Sequence, residues 1–182
     1  MRRVLPPRTL LLSVVVVGCL AACTPLQTIQ GATKMGQIMM NPDMPIGPPK
    51  DQPSKATIAI YVEEDANKNA FGQAAPVDVW LFQLSDDTRL RTLDFATLSA
   101  SPKDALGTSY VSHKEKQVEP GKSKVIDDWK IEEETSSIGV AVGYKDIDHI
   151  NWRNLDAIKP KGETYKIVVA IRGRNVAIQT HR

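Results

Sequence analysis

Ile58, Ile60 and Val62 alternate with Thr57, Ala59 and Tyr61, a period of two that predicts a strand over 57–62 with one buried face. The run Pro76-Val77-Asp78-Val79-Trp80-Leu81-Phe82-Gln83-Leu84 is different, because apolar side chains fall on both parities. It predicts a central strand covered on each side, with Pro76 at the first position, where a missing backbone donor is tolerated. Between these strands, residues 63–75 are rich in Asp, Asn, Lys, Ala and Gly and hold one aromatic, Phe71. They read as a connecting loop.

The period then changes. Asp94-Phe95-Ala96-Thr97-Leu98 offers an N-cap followed by an apolar pair three apart. Ser101-Pro102-Lys103-Asp104-Ala105-Leu106-Gly107 offers a cap, a proline at the first helical position and a terminating glycine. Two short helices follow, each too brief to stand alone, so Phe95, Leu98 and Leu106 must pack them onto a sheet. Strands return at 116–118, after a Pro120-Gly121 turn at 124–131 as a charged edge, and at 138–144, where bulky residues alternate with Gly, Ala and Gly. A polar excursion with Asp146, Asp148, His149 and Trp152 precedes further strands at 165–171 and 175–179. About seven short strands with turn signals between them predict a mainly β protein, an antiparallel sandwich with inserted helices.

Upstream of the strands the composition changes twice. Arg2, Arg3 and Arg8 precede an eleven-residue apolar run at 10–20, too short to cross a bilayer, and Leu20-Ala21-Ala22-Cys23 closes it. This stretch resembles a lipoprotein signal whose small residues admit a peptidase and whose thiol takes a diacylglyceryl thioether. Residues 1–22 therefore read as a signal peptide and Cys23 as the lipidated first residue of the mature chain. Residues 23–55 hold six of the twelve prolines and no sustained period, and read as a tether with an r.m.s. span of roughly 30 Å. The alternative is a segment folded on the domain surface, docked through Ile38-Met39-Met40. Residues 56–182 form the folded domain.

Removal of the signal takes away three arginines, so the formal charge falls from +2 to −1. A near-neutral mature chain gives no support for nucleic-acid binding. Cys19 and Cys23 are the two cysteines, one in the signal and one lipidated, which leaves none for a disulfide or a metal site.

No nucleophile elbow, phosphate loop or dinucleotide fingerprint occurs. Asp146-Ile147-Asp148-His149 is the nearest approach to a ligand set, yet on a strand His149 points away from the two carboxylates, and a solvated loop accounts for it. Asp127-Asp128 and Glu132-Glu133-Glu134 read as solubility charges, and Trp129 and Trp152 as core or corner plugs. No catalytic residue, metal or cofactor is assigned.

Taken in order, several stretches resemble the TssJ family of type VI secretion lipoproteins. They are the Leu20–Cys23 motif, the 76–84 run, Leu93-Asp94-Phe95-Ala96-Thr97-Leu98, the 102–107 helix, Glu119-Pro120-Gly121, and residues 138–146 with Trp152-Arg153. The resemblance implies a transthyretin-like sandwich with added helices, held on the inner leaflet of the outer membrane by acylated Cys23. It implies docking of the periplasmic domain of the inner-membrane protein TssM, in a membrane complex with TssL, through the loop joining the first two strands. By position that loop is 63–75, with Asn67, Lys68 and Asn69 as hydrogen-bonding residues, Phe71 as anchor and Gly72 as a bend. Two other classes stay open: a periplasmic sandwich lipoprotein acting as chaperone or ligand-binding module, and an envelope hydrolase.

Overall fold

The computed structural model describes residues 47–182 apart from residues 70 and 149. Cys23, the signal peptide, the tether up to residue 46 and His149 lie outside the described residues. Eight strands are found among those described: β1 (Lys55–Val62), β2 (Val77–Leu84), β3 (Tyr110–Val118), β4 (Ser123–Lys130), β5 (Ser137–Gly143), β6 (Arg153–Ala157), β7 (Thr164–Arg172) and β8 (Asn175–His181). Three short helices stand between β2 and β3: α1 (Thr88–Thr92), α2 (Phe95–Ala100) and α3 (Pro102–Leu106). The strands make two four-stranded sheets, ordered β4-β1-β7-β8 and β3-β2-β5-β6.

The mainly β sandwich expected from the sequence is present, with one pairing that alternation cannot show. β1 and β7 run parallel over eight residue pairs, from Lys55 with Thr164 to Val62 with Ile171, while every other neighbour pair is antiparallel. A period of two fixes which face is buried; it carries no information about strand direction. Ile58, Ile60 and Val62 of β1 and Ile167, Val169 and Ile171 of β7 face inward and meet Val79, Leu81, Val140 and Val142 of the second sheet in one core.

β2 is central and covered on both faces, as its sequence predicts. Val77, Val79 and Leu81 enter the core between the sheets, while Phe82 and Leu84 pack with Leu90, Leu98 and Leu106 of the helices in a second core. The small positions of β5 lie opposite the large ones of β2, with Trp80 beside Ala141 and Phe82 beside Gly139. This complementarity is what lets the helices sit down. A Cβ at Gly139 would stand 2.5 Å from Leu90 Cδ2 and 3.2 Å from Leu84 Cδ1. Gly139→Ala should therefore destabilise the fold by about 1–3 kcal/mol, read from a thermal melt, by lifting α1 from the sheet.

Helix α2 starts as the sequence predicts, with the Asp94 carboxylate accepting from the Thr97 backbone N–H at 2.8 Å and from the Thr97 hydroxyl at 2.8 Å. Those bonds hold the Asp94 carboxyl below its ordinary range. The cap is consequently present above the usual carboxylate range and is lost on acidification through the lowered value. Ser101 differs from expectation: its hydroxyl donates to the Asp104 carboxylate at 2.6 Å rather than accepting from the backbone. Helix α1 and strand β6 were not anticipated, and β3 begins six residues before its predicted start.

Residues 52–54, which the sequence reading assigns to the tether, are built into the fold. Ser54 is buried, its N–H donates to Pro160 O at 2.7 Å, and Ile131 N donates back to Ser54 O at 2.8 Å. Composition alone could not reveal this, because the partners are more than 70 residues away.

Candidate functional site

The β1–β2 loop, residues 63–75, is braced at its base and self-contained at its tip. At the base Asn67 adopts φ 54 and is 4% exposed. Its Nδ2 donates to Ala75 O at 3.1 Å and Pro76 O at 2.8 Å, and its Oδ1 accepts from Lys145 N at 2.6 Å. One side chain thus ties the loop's start to its end and to the turn after β5. The left-handed conformation is one that asparagine tolerates better than most residues, which explains its presence.

The tip is a tight turn organised by Asn69. Its Oδ1 accepts from the N–H groups of Phe71 at 2.9 Å and Gln73 at 3.0 Å, and Gly72 closes the turn at φ 76 with its N–H on Asn69 O. Phe71 is 89% exposed, the most exposed of the large hydrophobic side chains described. Lys68 is outside the turn and pairs with Asp65 at 3.8 Å across exposed side chains, an interaction worth little in water.

Two further loops meet this one. The Tyr144 hydroxyl, buried beside the loop base, donates to Arg172 O at 3.0 Å and lies 3.2 Å from Asn175 O. Burial, with the nearby Glu63 carboxylate, pushes its pKa up, so it stays a neutral donor. Glu63 itself pairs with Arg172 at 3.2 Å. The three loops enclose an open cleft of about 270 Å³ whose rim carries Asp65, Lys68, Asp146 and Arg174. Among the described residues no three His, Cys, Asp or Glu side chains converge on a metal position, and no helix is long and apolar enough to cross a membrane.

The comparisons with known proteins bear on this arrangement. Residues 54–174 match the model of a family described as type VI secretion lipoprotein, VasD, EvfM, TssJ. The chain belongs to the TssJ family. Its fold is similar to that of the T6SS lipoprotein TssJ1 from Pseudomonas aeruginosa, with 25% identity and a TM-score of 0.66 over 72% of this chain and 98% of that one. It is also similar to Serratia marcescens Lip, described as a membrane-bound component of the type VI secretion system, at 17% identity and TM-score 0.60 over 69% and 96% of the two chains. A chain in a structure described as the T6SS protein TssM C-terminal domain from EAEC matches at 18% identity and TM-score 0.56, over 69% and 97%. The last two likenesses concern the fold. No curated protein matches the chain in sequence.

The structure divides the residues assigned to the loop in a way their types do not reveal. Lys68, Asn69, Phe71 and Gly72 lie at or near the exposed tip. Asn67 differs from these: it is buried, and its side chain makes three hydrogen bonds inside the fold. Lys145, which holds the loop from outside, and Tyr144, which ties the neighbouring β7–β8 turn, were missed by sequence reasoning. Nothing local marks them, since their partners lie 28 to 78 residues away. Trp129 is a buried core residue as expected, and Trp152 packs between the two cores with its ring 5.2 Å from Phe95 and 4.5 Å from the Arg153 guanidinium. Asp128, Glu132 and Glu133 form exposed ion pairs with Lys55, Lys130 and Lys161.

Proposed function

We propose that this TssJ-family lipoprotein is a non-catalytic assembly protein that docks the periplasmic domain of TssM through its β1–β2 loop, in a membrane complex with TssL. Acylated Cys23 holds it to the outer membrane, and the tether gives the domain its reach. The observation that carries the docking half is Phe71, an aromatic left in water at the tip of a turn whose backbone is already bonded. Such a residue costs little conformational entropy to bury in a partner's pocket, which is the setting in which one side chain dominates an interface.

Phe71→Ala tests it. Calorimetric titration of the full chain with the TssM periplasmic domain should show about a thirtyfold loss of affinity, corresponding to about 2 kcal/mol. The thermal melt should stay unchanged, because Phe71 is 89% exposed. Unaltered affinity would remove the loop assignment. The anchor is tested separately: Cys23→Ser should move the protein from the outer-membrane fraction to the soluble periplasmic fraction, since a thioether-linked diacylglyceryl group is what stable attachment requires. Persistence in the membrane fraction would refute lipid anchoring while leaving the docking claim intact.

A further inference from the structure

The sandwich's four edge strands are not equivalent. β6 and β8 close one side on each other: Asn154 Nδ2 donates to Val176 O at 3.1 Å, Val176 N to Asn151 O at 3.0 Å, and Asn151 bridges Asn175. β4 is interrupted, with a register shift in its pairing with β1 and a positive φ of 48° at Asp128. β3 has a register shift between Tyr110 and Ser112 but runs in unbroken register with β2 from Ser112 to Val118, contains no proline, and has no further strand on its other side among the described residues. An open cleft of about 330 Å³, lined by Ser85, Thr108, Tyr110, Val111 and Glu134, lies beside its first residues, and its one carboxylate places the acidic side chains of an added segment farther along the strand. A regular edge with a side-chain recess next to it is the arrangement by which extended peptides add to sheets.

The charges of β3 decide what can be added. Lys114 and Lys116 share one face, and Glu115 lies on the other. Lysines on an edge repel an apolar strand. A second copy is disfavoured in the registers centred on the charged residues. Two-fold antiparallel self-pairing about residue 114 sets lysine against lysine; about residue 115 it sets glutamate against glutamate and Lys114 against Lys116. The Lys114 ammonium lies 5.7 Å from the centre of the Trp129 ring, over the open side of the core, and Lys116 is exposed without an ion-pair partner among the described residues. We propose that β3 is a strand-addition edge for an extended segment of another polypeptide that carries carboxylates at alternate positions. That segment pairs its backbone with β3 and sets its acidic side chains beside Lys114 and Lys116.

The test uses the full chain in detergent micelles and two synthetic twelve-residue peptides, one of Glu-Val repeats and its Lys-for-Glu counterpart. The Glu peptide should slow amide exchange along β3 and bind about tenfold more tightly than the Lys peptide, the ratio expected for two cross-strand charge pairs changed from attraction to repulsion. Lys116→Glu, which leaves the Lys114 contact with Trp129 in place, should reduce or reverse that preference. Phe71→Ala should leave it unchanged, so this result and the docking test fail independently. Absence of added protection on β3, protection on β4 instead, a preference insensitive to Lys116→Glu, or a peptide-free dimer protected at β3 would each overturn the proposal.

Discussion

Gln83→Ala is expected to lower the melting temperature by about 10 °C or more, from a loss of about 3–5 kcal/mol. Gln83 is wholly buried in β2, where its parity points it between the sheets. Its Nε2 donates to Lys130 O at 2.8 Å, and its Oε1 accepts from Glu132 N at 2.8 Å and from the Thr135 hydroxyl at 2.8 Å. The amide thus fastens the end of β4, in one sheet, to β2 in the other. Truncation takes their partner from a part-buried carbonyl and N–H and from the buried Thr135 hydroxyl, and opens a cavity as well. Gln83→Leu separates the two costs. If filling the volume restores most of the stability, the cavity dominates and the hydrogen-bond account is wrong; a melt close to that of the alanine variant supports it.

The second large effect is expected at Asn67. Replacement by alanine removes three side-chain hydrogen bonds and forces a side chain that cannot make them into φ 54, at a cost of about 2–4 kcal/mol. Asn67→Gly keeps the backbone conformation and loses only the bonds, so it should be about 1 kcal/mol less damaging than alanine. Urea titration of both variants reads the difference, and equal stabilities would mean that the left-handed backbone carries no strain here. On the docking proposal, both variants also lower affinity for the TssM periplasmic domain by about tenfold, although Phe71 is untouched. Such a loss reports on a tip that is no longer held, since docking would then have to order it.

The elements legible in the sequence are those with an apolar face long enough to show a period. β1, β5 and β7 alternate cleanly, and β2 betrays its two-sided burial by breaking alternation. α1 escaped because it is a single turn with one buried residue, Leu90, and a period cannot appear in five positions. β6 and the first half of β3 escaped for a different reason. Their residues mix polar and apolar types, are mostly half-buried at sheet edges and show no alternation, and what makes them strands is the neighbour that completes their hydrogen bonds.

The candidate site divides the same way. Phe71 stood out as the one aromatic in a polar loop, and Asn67, Lys68 and Asn69 looked alike around it. Only folding separates them. Asn67 is buried because the turn after β5 arrives beside it, Asn69 folds back on its own loop, and Lys68 is left in water. Residue type specifies what a side chain can bond to, whereas packing decides whether that capacity is used inside the fold.

Periodicity, the cap at Asp94, the proline and glycine positions and the order of the family's motifs were enough to state a mainly β sandwich with inserted helices and to place its connecting loop. These are local properties, written into spans of a few residues, and the chain carries them whether folded or not. The parallel pairing of β1 with β7, the Gln83 tie between sheets, the bracing of the loop by Asn67 and the open edge at β3 are long-range. They join or expose residues tens of positions apart, and no local pattern encodes them. They come into being when two sheets and three loops compete for the same buried volume and the same backbone partners.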